Sequence, residues 1–237
     1  MQDLKNSIID WIKDYFNENA DADGAIIGLS GGKDSSVVSK LLVEALGKDK
    51  VFGVLMPNGV QKDMHDSLKL VEFLGIDYQI VNIQDAYNGI INAIGEESLS
   101  KQGKINISPR IRMTTLYAIA SSKNYRVAGT GNKSEGFVGY TTKWGDNAHD
   151  FNPIASLNTE EVMALGDALG LPYELAHKTP SDGISGLSDE DNLGFTYKQI
   201  NTFMADGSTG DAELDKKISE TNKRNLHKTH PIPFFQK

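Results

Sequence analysis

The chain has 237 residues, no cysteine, and 24 Lys and Arg against 32 Asp and Glu, a net charge of -8. That length favours one domain with a core of its own, and the missing cysteines exclude a disulfide framework, a thiolate metal site and a cysteine nucleophile. The acidic balance argues against a broad nucleic-acid surface. No apolar run reaches the roughly 18 residues of a membrane helix, and the charged opening MQDLKNSIIDWIKDYF is no signal peptide. A single cytoplasmic domain spanning 1–237, with neither membrane nor nucleic acid as partner, is the expectation.

Leu4, Ile8, Trp11, Ile12, Tyr15 and Phe16 recur at helical spacing and predict a first helix over about 2–18. The apolar run Ala25–Leu29 reads as a strand, followed by a helix over about 34–46. Val51–Met56 repeats the strand signal before a helix over about 63–74, and Tyr78–Ile83 alternates as a strand. Helices are expected over about 84–94 and 109–122, a fourth strand over Arg126–Thr130, and helices over about 159–169, 196–205 and 212–226. Residues 178–194 show no periodicity and read as a lid rich in glycine. Short apolar strands alternating with amphipathic helices predict an α/β fold, a doubly wound parallel sheet of about five strands. Ligands of such sheets bind at the carboxyl ends of the strands, so the turns at 30–35, 57–63 and 130–135 are the candidate site.

The strongest local signal is Ser30-Gly31-Gly32-Lys33-Asp34-Ser35, directly after the first strand and opening a helix. Two glycines allow a sharp turn and close approach of backbone to ligand, and the free N–H groups of a helix start attract an anion. Asp34 repels phosphate itself but can hold a Mg²⁺ that bridges to it. The alternative is a plain glycine turn with Ser30 or Asp34 as helix cap. Neither a Walker loop nor a dinucleotide fingerprint is present.

This loop resembles that of the pyrophosphatase-loop ATPases, which cleave ATP between its α- and β-phosphates. Four further segments resemble ammonia-dependent NAD synthetases without a glutaminase domain. They are Met56–Asp63, Asn106–Met113, Gly129-Thr130-Gly131-Asn132-Lys133-Ser134-Glu135 and Thr142-Lys143-Trp144-Gly145-Asp146. The resemblance implies amidation of deamido-NAD⁺ to NAD⁺ with ATP and ammonia, through an adenylate, with Mg²⁺ as cofactor and a homodimer as assembly. It places ATP at Gly28, Leu29, Ser30, Gly31, Gly32, Lys33, Asp34, Ser35, Gln61, Thr130, Thr159 and Ser181, and the metal at Asp34 and Glu135. Deamido-NAD⁺ is implied at Tyr15, Asn106, Arg110, Tyr117, Tyr140, Lys143, Asp146, Asp150, His227 and Lys228. Asp34, Lys143 and Asp146 carry the implied catalytic roles. The spacing 106, 110, 117 keeps one helix face, which supports a shared site. Thr159 and Leu55 stand where the family commonly has basic residues, so weaker ATP binding is expected. A tRNA-modifying ATPase of the same loop group and a nucleotide sensor without turnover are the competing readings.

Overall fold

The computed structural model describes residues 1–18, 21–60, 64–178 and 188–236. In chain order the elements are α1 (Gln2–Glu18), β1 (Gly24–Gly28), α2 (Lys33–Leu46), β2 (Val51–Leu55), α3 (Met64–Leu74), β3 (Asp77–Ile80), α4 (Gln84–Ile94) and α5 (Lys101–Lys123). There follow β4 (Tyr125–Val127), α6 (Lys133–Val138), α7 (Thr159–Ala168), α8 (Tyr173–Ala176), α9 (Asp189–Leu193), α10 (Tyr197–Asp206) and α11 (Ala212–Asn225).

The strands form one parallel sheet in the order β3-β2-β1-β4. Strand alternation divides its apolar residues between two cores. Ala25, Ile27, Val51 and Leu55 join the isoleucines and leucines of α1, α2, α3 and α7 on one face. Ile26, Val54 and Val127 meet α5 on the other. Both faces are therefore covered, and the strands read as continuous apolar runs for that reason. A third cluster, Val138, Phe195, Tyr197, Ile200 and Ile218, holds α6, α10 and α11 together beside the sheet.

Two expectations need correction. The described sheet has four strands, and the fifth position is a single parallel bridge, Ala128 to Phe151. The Gly129 N–H donates to Phe151 O at 2.8 Å, but Pro153 follows two residues on and has no N–H to continue a ladder. The helix expected from about 109 begins at Lys101, where the Ser100 hydroxyl accepts from the Gly103 N–H at 3.1 Å. Pro109 lies inside it, a residue that ordinarily marks a helix boundary in sequence.

The sheet order reverses at β1, with β2 on one side and β4 on the other. The turns after β1 and β4 meet at the carboxyl ends of these two strands, the place where such sheets form a ligand crevice.

Candidate functional site

Residues 28–35 line one side of that crevice. Gly31 adopts φ +70°, and a Cβ there would stand 2.8 Å from the Ser67 backbone nitrogen, so the double-glycine turn fits only without a side chain. The cap of α2 is Gly32, with no side-chain hydrogen bond, which sets aside Ser30 and Asp34 as caps. Ser30 and Ser35 join their hydroxyls at 3.1 Å, and the Ser35 hydroxyl also donates to Gly32 O at 3.0 Å. The first turn of α2 thus keeps backbone N–H groups facing the crevice, where the helix dipole favours an anion.

Lys33 points inward. It is 2% exposed, and its ammonium donates to the Asp34 carboxylate at 2.7 Å. The other Asp34 oxygen accepts from the Asn132 side-chain amide at 3.0 Å. Asn132 caps α6, accepting from the Glu135 N–H at 3.0 Å, while the Glu135 carboxylate accepts from the Asn132 N–H at 3.2 Å. One asparagine from the turn after β4 therefore ties together the two carboxylates that came from separate turns. Burial raises the Glu135 carboxyl well above its ordinary range, and the Asp34 charge adds to the rise. Two neighbouring oxygen donors with this mutual repulsion suit a divalent cation that would offset it. Among the described residues no set of three or more His, Asp or Glu is arranged to hold a metal. A two-carboxylate site agrees with Mg²⁺, which takes one or two carboxylates and completes its shell with water and phosphate.

Thr130 lies half-buried in the same turn. Thr159, the first residue of α7, is 4% exposed, and its hydroxyl accepts from Asn201 at 3.2 Å. Asn201 in turn accepts from the Ser134 hydroxyl at 2.6 Å, so Thr159 belongs to a buried polar link between α6, α7 and α10. Gln61 and Ser181 lie outside the described residues, as does the lid expectation from 179 to 187. The last part of that lid is α9, capped by the Ser188 hydroxyl, and not an irregular stretch.

The second wall is α5 against the turn 141–150. Asn106 accepts from the Thr142 hydroxyl at 3.1 Å, Arg110 donates to Lys143 O at 3.3 Å, and the Tyr117 hydroxyl donates to Asp150 at 3.1 Å. The face 106, 110, 117 does meet one segment. Asp146 accepts from the Thr142 N–H at 2.9 Å and from the Thr141 hydroxyl, which fixes the turn. Asp150 accepts from the Val127 N–H at 2.7 Å. Tyr15 stacks on Phe151 with ring centroids 4.7 Å apart. Lys143 donates to His227 O and Lys228 to Gly139 O, at 2.7 and 2.8 Å, so the His-Lys pair is fastened to this turn and to the end of α6. The Tyr140 hydroxyl accepts from Asn192 of α9 at 3.3 Å.

Sequence reasoning missed three residues here. Asn132 reads as an ordinary helix cap, and only the tertiary contact reveals its bond to Asp34. Arg112 looks like a solvent or partner residue, yet it is half-buried and donates to Met56 O at 3.0 Å. His149 packs its ring against Gly129, and its Nδ1 is buried without a hydrogen-bond partner among the described residues.

The family model described as NAD synthase matches residues 4–231. An NH(3)-dependent NAD(+) synthetase of Carboxydothermus hydrogenoformans is 37% identical over 232 residues, covering 96% of this chain and 94% of the relative. A structure described as NMN synthetase from Francisella tularensis superposes with a TM-score of 0.89 at 35% identity, covering 98% of this chain and 97% of that one. An NH3-dependent NAD synthetase from Campylobacter jejuni superposes with a TM-score of 0.83 at 31% identity, covering 99% of this chain and 98% of that one.

Proposed function

The chain belongs to the NAD synthase family, and from that membership we propose that its crevice amidates deamido-NAD⁺ to NAD⁺ with ATP and ammonia. The observation that carries the reading is the Asn132 amide joining Asp34 to Glu135 at the sheet's switch point, opposite the substrate wall on α5. The nicotinate carboxylate attacks the α-phosphate of ATP, pyrophosphate leaves, and an acyl adenylate remains. Ammonia attacks its carbonyl, loses a proton, and AMP departs.

Backbone N–H groups at the start of α2 bind the ATP phosphates. Asp34 and Glu135 would hold Mg²⁺, which when bound neutralises phosphate charge. Asp146, fixed by Thr141 and Thr142, positions the ammonia, and Lys143 stabilises charge that develops at the reacting carbonyl. Tyr117, Asp150, Asn106 and Arg110 orient the dinucleotide. We place the enzyme in the cytoplasm as a homodimer. Support for the dimer is the exposed apolar residues of β3 and α4, where Tyr78, Ile80 and Ile94 are 45%, 48% and 51% exposed.

A second substrate is favoured by the likeness to the Francisella protein, whose described product is NMN. Nicotinate mononucleotide carries the same reacting carboxylate. Purified protein with ATP, Mg²⁺ and ammonium settles the matter. AMP release that requires deamido-NAD⁺ supports the proposal, and release that requires nicotinate mononucleotide alone supports the second substrate. Dependence on tRNA, or binding without turnover, overturns both.

A further inference from the structure

At the outer edge of β4 lies a cavity of about 250 Å³, lined by Tyr117, Ser121, Asn124, Tyr125, Arg126 and Asp150. Its charge pattern contains one residue not yet assigned a role. Arg126 pairs in register with Ala25 of β1. Tyr125 and Val127 turn to the α5 core, so alternation sends the Arg126 side chain to the opposite face of the sheet, the side of Ala25 and α1.

Arg126 is half-buried, and among the described residues its guanidinium makes no hydrogen bond or ion pair. Asp150, the acid that shares the cavity, is engaged elsewhere, by the Tyr117 hydroxyl at 3.1 Å and the Val127 N–H at 2.7 Å. Both charges reach Tyr15, whose hydroxyl Asp150 pushes up in pKa and Arg126 draws down, with burial as the largest cause of the net rise. Arg126 thus stands among Tyr15, Tyr117 and Asp150, three residues of the expected dinucleotide wall. A guanidinium has five donors in a planar fork that matches a phosphate in two-point contact. A carboxylate beside it repels phosphate but accepts from ribose hydroxyls.

We propose that Arg126 is a substrate-binding residue that holds a phosphate of the nucleotide, with Asp150 taking the adjoining ribose. The proposal rests on the amidation reading above.

Two variants test it, Arg126→Met, which keeps the apolar stem, and Arg126→Lys, which keeps the charge. Each is titrated with deamido-NAD⁺ and with nicotinate mononucleotide in the absence of ATP, and then assayed for turnover. Loss of a charge-assisted contact predicts that Arg126→Met weakens deamido-NAD⁺ binding and raises its KM roughly tenfold to a hundredfold. Arg126→Lys recovers part of the loss, the KM for ATP and the thermal midpoint stay in place, and kcat falls less than about threefold. Equal losses for both nucleotides assign Arg126 to the phosphate beside the nicotinate ribose, and loss with the dinucleotide alone assigns it to the distal phosphate. Unchanged deamido-NAD⁺ binding by folded Arg126→Met overturns the proposal, as does a loss that tracks a fall in thermal midpoint. Wild-type protein that neither binds nor turns over deamido-NAD⁺ overturns the amidation reading and the assignment with it.

Discussion

The Asn132 side-chain amide donates to Asp34 at 3.0 Å, across 98 residues of sequence, while its oxygen accepts from the Glu135 N–H. Asn132 is 2% exposed, so the link operates away from bulk water, where hydrogen bonds to charged groups are worth most. It sets the spacing of the two carboxylates without placing a positive charge between them. Lys33 supplies the charge from behind, at 2.7 Å from Asp34.

That arrangement alters what Asp34→Ala should do. Removing the carboxylate abolishes pyrophosphate release and also strands the buried Lys33 ammonium. Breaking a buried pair typically costs about 3–5 kcal/mol, and the lower end applies because Asp34 is partly open. We expect a fall of roughly 6–12 °C in thermal midpoint, using about 2–4 °C per kcal/mol for a chain of this size. Asp34→Asn keeps an acceptor for Lys33, so it should lose the same activity with a smaller fall. Calorimetry and a pyrophosphate assay on both variants check this, and an unshifted midpoint in Asp34→Ala would remove the structural part of the role.

Thr159→Lys is expected to lower stability and leave ATP affinity no tighter. The Thr159 hydroxyl accepts from Asn201 in the buried link to Ser134, and its loss leaves an amide unsatisfied at about 1–3 kcal/mol. An ATP titration at fixed Mg²⁺ that tightens tenfold in the folded variant would show that the position faces the nucleotide.

His149 predicts an acid-side loss of stability. Burial holds its imidazole below the usual histidine value, and Asp150 and Asp146 only partly oppose the shift. A lowered folded pKa means that the unfolded chain binds the proton first. The stability contribution is therefore complete above the unfolded value of about 6.5 and declines as pH falls through it toward the folded value. Thermal melts between about pH 7.5 and pH 5.5 should show a steeper loss in the wild type than in His149→Gln. Parallel curves would count against it.

The exposed apolar residues of β3 and α4 should carry the dimer contact. Ile111, Leu116 and Ile119 of α5 pack largely into the second core, whereas Tyr78, Ile80 and Ile94 are among the exposed apolar residues. Ile80→Glu with Ile94→Glu should convert the assembly to monomer, read by sedimentation. A dimer that persists unchanged places the contact elsewhere.

The sequence by itself determined the parallel α/β class, the helix boundaries of α1, α4 and α11 to within a residue, and the double-glycine turn that opens α2. Those features are local: they follow from apolar periodicity and from glycine's access to positive φ, both written in consecutive residues. The shared face of Asn106, Arg110 and Tyr117 was legible for the same reason, since helical geometry alone brings it about. Tertiary structure decided the rest. Periodicity could not reveal that Phe151 forms one bridge and stops, because the end of the ladder depends on which edge Pro153 faces. Nor could it show Thr159 turned inward to Asn201, or Asn132 spanning two distant turns, because a polar side chain's partner is chosen by packing across the sheet's switch point. Arg126 is the plainest case: an arginine in a short strand reads as an edge residue in solvent, and only the wall formed by Tyr117 and Asp150 makes it part of a cavity.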